Sequence, residues 1–200
     1  MSKRAIKLFL AVSISLFLFP PLIRAQVTLT VGNGSGYRGS DNNPVGVSLS
    51  NPSDKVKQVL VDVCDTDDYL SVLKCDTTSR SSDNFTCQVV EFPSGCARVV
   101  LSSPGGVIDL GSGDIFTLRY NIDSGAPDGQ NRSLTPQNIF VTDEFGSGLS
   151  ATPVSGTFSF SNCTSASQCN EGLYCNGTEG CSGGACTHTG NPCLPETECN

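Results

Sequence analysis

Short segments that alternate apolar with polar residues run through this 200-residue sequence and limit the folds open to it. Residues 27–31, Val-Thr-Leu-Thr-Val, are typical, and turn-forming residues such as Asn-Pro-Ser-Asp at 51–54 separate one segment from the next. About nine segments of this kind occur, at 27–31, 45–49, 59–63, 69–73, 85–90, 97–101, 115–120, 139–142 and 154–160. Many short strands with turns between them predict an all-β sandwich or barrel.

Two of these segments indicate which side chains face the core. Side chains alternate sides along a strand, so we expect one buried face in each of two sets, Phe116, Leu118, Tyr120 and Ile122, and Val154, Gly156, Phe158 and Phe160. No segment keeps a helical period, although residues 128–137 have room for a single helical turn. The 21 glycines and 11 prolines also argue against a helical bundle.

The N-terminus has the features of a secretory signal. Lys3, Arg4 and Lys7 precede an apolar run at 8–19, and Ala25 offers a small residue for cleavage. We therefore predict a signal peptide over residues 1–25. The apolar run of 12 residues is well short of the roughly 20 that span a bilayer. The sequence thus predicts a secreted, extracellular or cell-surface protein with no membrane span.

Eleven cysteines divide the rest of the chain. Four lie in the strand-rich region, and seven crowd into the last 38 residues at gaps of five to seven: Cys64, Cys75, Cys87 and Cys96, then Cys163, Cys169, Cys175, Cys181, Cys186, Cys193 and Cys199. Exported cysteines form disulfides, and a tail with so little apolar mass needs them. We therefore expect a β-domain over 26–162 and a disulfide-stapled, incomplete module over 163–200, with at least one cysteine unpaired because the total is odd.

Pairing of the first four cysteines has three possibilities. We favour neighbour pairing, Cys64 with Cys75 and Cys87 with Cys96, because each bridge would tie the ends of successive strands. A zinc site in the tail is the less favoured alternative, since zinc ligands usually come in closely spaced pairs and the one histidine, His188, stands in no such pair.

An acidic cluster supplies the candidate metal ligands. Asp62, Asp65, Asp67 and Asp68 offer the oxygen ligands that calcium prefers. They lack the Asp-x-Asp-x-Asp-Gly loop of a calcium-binding hand, so we favour a solvated strand end and turn. We expect no cofactor.

Charge and motif content exclude several functions. Four of the 12 basic residues and none of the 19 acids lie in the signal segment, so the remaining chain has a net charge near −11. Such a chain repels nucleic acid. With a single histidine, no triad pattern and no phosphate-binding loop, the sequence predicts no enzymatic activity.

Several segments of the strand-rich region match, in order, the pattern of one known family. They are 31–39 with its glycines, 45–51, 59–63, the glycine-led long strand at 111–120, and the closing segments 141–146 and 154–158. On these matches the region resembles a cohesin domain, the jelly-roll β-sandwich by which bacterial scaffolding proteins hold dockerin-bearing partners, related in fold to some cellulose-binding modules. The resemblance implies a non-catalytic module that docks a calcium-loaded dockerin in an assembly linked to polysaccharide degradation. It assigns no binding residues, and Cys64, Cys75, Cys87 and Cys96 depart from the family pattern.

The tail has its own resemblance. Residues 169–181, with Leu-Tyr-Cys-Asn-Gly at their centre, are similar to short Cys-rich repeats of secreted bacterial proteins, which have no settled activity.

Direct binding to a polysaccharide is the alternative function for the sandwich. Few aromatic residues and no tryptophan are present for a flat sugar platform, so protein binding is favoured. Five glycosylation triplets begin at Asn33, Asn84, Asn131, Asn162 and Asn176.

Overall fold

The computed structural model describes residues 26–67, 69–81, 84–92, 95–127, 129–163, 165–169, 177–182 and 184–190. The predicted signal peptide, Asp68, Asn176 and three tail cysteines (Cys175, Cys193 and Cys199) lie outside the described residues. Within those ranges, no helix has the length and apolar character needed to cross a bilayer.

β-strands are the main elements of the described chain. They are β1 (Val27–Val31), β2 (Gly34–Tyr37), β3 (Asn43–Asn51), β4 (Val56–Asp65), β5 (Leu70–Thr77), β6 (Thr86–Phe92), β7 (Cys96–Ser102), β8 (Gly111–Ile122), β9 (Asn131–Asp143), β10 (Gly148–Leu149), β11 (Ala151–Val154), β12 (Gly156–Ser161), β13 (Thr178–Ser182) and β14 (Ala185–Thr189). The first twelve build two sheets, which we call sheet A and sheet B. The predicted all-β fold is confirmed, with short strands such as β2 and β10 added to the nine expected.

Sheet A has the strand order β11-β1-β3-β8-β5, and sheet B has the order β2-β12-β9-β4-β7-β6, with β10 paired to β9. Most neighbouring strands are antiparallel, but β1 runs parallel to β11 and β2 runs parallel to β12. The first two strands of the chain are thus each held by one of the last two strands of the sandwich.

A single apolar core fills the space between the two sheets. The inward residues of β4, among them Val59 and Val61, are fully buried, as are Phe116 and Leu118 of β8 on the opposite sheet. Tyr120 meets Phe158 edge-on, with ring centroids 6.4 Å apart. The alternation predicted for 116–122 is therefore confirmed.

Two expectations at the end of the sandwich are wrong. Residues 131–137 belong to β9, so the described part of the segment 128–137 contains no helical turn. Val154 does not share a buried face with Phe158 and Phe160, because the chain leaves sheet A after β11 and enters sheet B at β12. Val154 remains 40% exposed, whereas both phenylalanines are buried.

The neighbour pairing of the sandwich cysteines is also wrong. Cys64 is bonded to Cys96, and Cys75 is bonded to Cys87. The reason is topological: the chain passes from sheet B to sheet A between β4 and β5, so the strand beside β4 is β7. Cys64 and Cys96 lie directly opposite each other in that pair. The second bridge joins β5 at one edge of sheet A to β6 at the edge of sheet B.

The described part of the tail is a small cross-linked unit. A 3₁₀ turn (Ala166–Cys169) and the hairpin β13–β14 are tied by the Cys163–Cys181 and Cys169–Cys186 disulfides. The sulfur atoms of Cys163, Cys169 and Cys186 lie within 4.8 Å of one another. The two disulfides account for this spacing without a zinc ion. The amide of Asn162, just after β12, donates a hydrogen bond to the carbonyl of Gly184 at 2.6 Å.

Candidate functional site

The outer surface of sheet B carries apolar side chains on its solvent side. We call the exposed side of β9, β4, β7 and β6 the outer face; its central side chains are Phe140, Leu60, Val100, Val90, Asp62 and Arg98. Leu60 lies between Phe140 of β9 and Val100 of β7 in the strand register. Phe140 is 51% exposed and Val90 is 61% exposed. Such a cluster does not contribute to the core and is therefore available for contact with another molecule.

A charged network lies beside this apolar row, one step along the strands. Asp62 pairs with Arg98 through two short contacts, Nε to Oδ1 and Nη2 to Oδ2, both 2.7 Å. Asn138 donates a hydrogen bond from Nδ2 to Asp62 Oδ2 at 2.8 Å. The Asp62 side chain is almost fully buried by these partners, whereas the Arg98 side chain is 42% exposed. A forked guanidinium–carboxylate contact of this kind fixes both side chains in one orientation.

The environment of Asp62 favours its charged form. Hydrogen bonding from the Arg98 guanidinium lowers the pKa of Asp62, and the amide of Asn138 lowers it further, against the opposing effect of burial. Asp62 thus stays ionised at neutral pH and keeps Arg98 in place.

Asn138 reaches Asp62 because β9 is irregular at this point. The register between β4 and β9 shifts between Leu60 and Asp62, and Asn138 has a positive φ of 48°. Asparagine tolerates this left-handed conformation better than most residues do. The bulge therefore turns a polar side chain onto the outer face, next to Phe140.

The Cys64–Cys96 disulfide forms the next row of the same face. Asp62 is opposite Arg98 in the strand register, and Cys64 is opposite Cys96 two residues further along. The backbone hydrogen bonds between the strands, the ion pair and the disulfide all join β4 to β7. This part of the outer face is consequently rigid before any partner arrives.

The other aspartates of the predicted cluster have different partners. Asp65 accepts hydrogen bonds from the amides of Asp67 (2.7 Å) and Leu70 (3.1 Å), so it shapes the turn that leaves β4. Asp67 forms an ion pair with Arg132. Among the described residues these carboxylates do not converge with Asp62 on one point that a cation could occupy.

Sequence reasoning missed the outer face, although a pattern for it exists. The segments 59–61, 89–90, 99–101 and 139–141 are unbroken apolar runs within strands. Since neighbouring side chains point to opposite sides, such runs place apolar groups on both the core and the solvent side. The runs on β9, β4 and β7 align Phe140, Leu60 and Val100 in one apolar row, and the run on β6 adds Val90 opposite Arg98 in the next row. The pairing of Asp62 with Arg98, by contrast, depends on strand register and has no local sequence pattern.

Comparison with known proteins identifies the fold. No family model matches the sequence, and no curated protein does. Solved structures match with the same coverage, 68% of this chain. One is the non-cellulosomal cohesin from the hyperthermophilic archaeon Archaeoglobus fulgidus, 23% identical with a TM-score of 0.54 over 91% of its chain.

Two others are cohesins in complex with dockerins. The sixth cohesin from scaffoldin B of Acetivibrio cellulolyticus, solved with the Cel5 dockerin, is 20% identical with a TM-score of 0.57 over 99% of its chain. A type I cohesin–dockerin complex from Clostridium thermocellum matches at 17% identity and a TM-score of 0.56 over 93% of that chain. Nearly the whole of each domain superimposes on the sandwich described above. The β-sandwich of this chain therefore has the cohesin fold, as the sequence resemblance implies.

Proposed function

We propose that the sandwich is a non-catalytic docking module that binds a dockerin-type protein through the outer face. The observation that carries the proposal is the pair of exposed apolar side chains Phe140 and Val90, which flank the Asp62–Arg98 pair on the outer face. Apolar groups surrounded by fixed polar groups are the usual composition of a protein interface. The dockerin complexes among the matching structures support this class of partner.

Protein binding fits the outer face better than polysaccharide binding does. A flat sugar platform stacks sugar rings on several exposed aromatic rings. Among the described side chains of the outer face, Phe140 is the exposed aromatic one, and its neighbours are aliphatic or charged. The Asp62–Arg98 pair adds fixed polar groups beside the apolar side chains, as is usual at a protein interface.

We further propose the context in which the module works. Residues 1–25 direct export, 26–162 form the docking module, and 163–200 form a Cys-rich module. The four disulfides support an oxidising, extracellular location. His188 belongs to β14 of the tail, which supports a sandwich without histidine-dependent catalysis. The partner is calcium-loaded, and the assembly serves polysaccharide degradation on a substrate or cell surface.

A capture experiment tests the class of partner. The immobilised chain is exposed to culture supernatant of the source organism with calcium and with a calcium chelator, and retained proteins are identified by mass spectrometry. Calcium-dependent retention of proteins with duplicated Asp-rich dockerin loops supports the proposal. Retention on cellulose, chitin or xylan without any dockerin would instead favour the carbohydrate-binding alternative.

A matched pair of variants tests the face. Phe140→Ser removes the aromatic ring from the outer face, whereas Val154→Ser changes an exposed apolar side chain on sheet A. For a captured dockerin measured by calorimetry, we expect at least about tenfold weaker binding by Phe140→Ser, which corresponds to a modest hot spot. Val154→Ser should bind like the wild type. Equal affinity for both variants would contradict the choice of face.

A further inference from the structure

The turn after β9 exposes a second phenylalanine almost completely. Phe145 is 85% exposed, the most exposed of the large apolar side chains in the described chain. It lies in the turn between β9 and β10, outside the outer face and outside the core. A ring in this position gives almost no burial energy to folding, so packing does not explain it.

The backbone that carries Phe145 is held by its own hydrogen bonds. Asp143 Oδ1 accepts bonds from the amides of Phe145 (2.9 Å) and Ser147 (2.7 Å). The amide of Gly146 donates to the carbonyl of Asp143 at 3.0 Å, and Gly146 has the positive φ of 84° that glycine permits. Because the turn is fixed in advance, a partner that binds the ring does not have to order this backbone.

Phe145 is close enough to the outer face to meet the same partner. It follows Phe140 by five residues, and five residues of extended chain span at most about 18 Å. A typical interface of about 800 Å² per partner is roughly 30 Å across. One docked protein of ordinary footprint can therefore contact both rings.

The surroundings of Phe145 are predominantly acidic. Lys55 forms an ion pair with Asp109 at 2.9 Å. Val56, the residue after Lys55, is paired with Asp143 in the strand register, which places Lys55 beside this turn. The pKa of Lys55 is raised, chiefly by its hydrogen bond to Asp109 and also by the charge of Glu144. With Asp143 these three groups carry a local charge of about −2. An apolar pocket with basic groups at its rim is the complementary surface.

We propose that Phe145 is an anchor residue of the partner interface, and that its ring enters an apolar pocket of the docked protein whose rim carries lysine or arginine. The inference rests on the proposed function, because the partner is the dockerin-type protein that the outer face binds. It extends the interface from the flat sheet to the β9–β10 turn. Aromatic residues that project into a pocket are the commonest energetic centres of protein interfaces.

The test compares three variants of the full chain against the captured, calcium-loaded dockerin by calorimetry. Phe145→Ser removes the ring, Phe145→Leu keeps an apolar group, and Val154→Ser is the control at an exposed position of sheet A. We expect at least tenfold weaker binding by Phe145→Ser, a smaller loss by Phe145→Leu, and a change under twofold for Val154→Ser. Unchanged thermal unfolding midpoints will show that all three variants are folded.

Salt dependence tests the charge of the rim. Glu144→Gln should weaken binding by a few-fold at low salt and have little effect in 1 M salt, where exposed charges are screened. If the wild type binds and Phe145→Ser binds within twofold of it, the inference about Phe145 is overturned while the docking function stands. If the wild-type chain binds no dockerin at all, the proposed function fails, and this inference fails with it.

Discussion

Removal of a sandwich disulfide should cost more unfolding free energy when the loop that it closes is longer, although the dependence on loop length is only logarithmic. Cys64–Cys96 spans 32 residues, and Cys75–Cys87 spans 12. In the chain-entropy description, loops of these lengths contribute about 3.7 and 2.8 kcal/mol by restricting the unfolded chain. We therefore expect the double variant Cys64→Ala/Cys96→Ala to lose more unfolding free energy than Cys75→Ala/Cys87→Ala. For a domain of this size, the unfolding midpoint should fall by roughly 10 °C in either case.

Denaturant unfolding of the two double variants and the wild type measures the two losses. A third variant, Cys64→Ala/Cys75→Ala, tests the connectivity itself. With the observed pairing it strands Cys87 and Cys96 as two new thiols, whereas neighbour pairing would leave those two residues bonded to each other. Thiol titration in denaturant should therefore count two more reactive groups than in the wild type. No increase in the thiol count would refute the pairing and, with it, the placement of β4 beside β7.

Three further outcomes follow from the same structure. The pKa of Asp62 is lowered by Arg98, so the stability that Asp62 contributes is present above its ordinary pKa of 3.8 and is lost as pH falls through the lowered value. Arg98→Gln should therefore reduce the slope of unfolding free energy against pH on the acid side, measured by urea unfolding at a series of pH values. An unchanged slope would contradict this. Phe158→Ala, at a fully buried ring, should cost about 3–5 kcal/mol in the same assay, and a loss below 1 kcal/mol would count against the described core. A Cβ at Gly156 would lie within 2.5 Å of two backbone carbonyl oxygens. Gly156→Ala should therefore destabilise the fold by about 1–3 kcal/mol. Gly148 has open space around it, so the control Gly148→Ala should change stability by less than about 0.5 kcal/mol.

Local pattern was sufficient to predict most strands of the sandwich. The alternation at 27–31 matches β1 to the residue, and the buried face of β8 follows from its sequence. Local pattern does not predict burial correctly where the chain changes from one sheet to the other. Residues 154 and 156–160 continue one alternation, yet a change of sheet at Ser155 puts Val154 in solvent. Periodicity describes a strand and carries no information on the sheet that it joins.

The candidate site was harder to predict for a related reason. Asp62 and Asp65 of the acidic cluster are close in sequence but have separate roles in the structure. Asp62 meets Arg98 and Asn138, 36 and 76 residues away, because three strands align side by side. Contacts of this kind depend on register between distant segments. The apolar runs in those strands, by contrast, are local sequence patterns, and they are sufficient to predict the same face.

The parallel pairs at the two edges of the sandwich bear on how the chain reaches its native state. Val27 is paired with Ala151 and Gly34 with Phe158, so one side of β1, whose other side pairs with β3, and the edge strand β2 find partners only near the end of the sandwich. Each of these pairs joins residues more than 120 positions apart. Contacts over such sequence separations make folding slow, in the range of milliseconds to seconds typical of β-sandwiches. During synthesis the side of β1 that faces away from β3 and the whole of β2 lack partners until β11 and β12 emerge. A chain interrupted before Gly156 would keep an open strand edge that is able to pair with other chains.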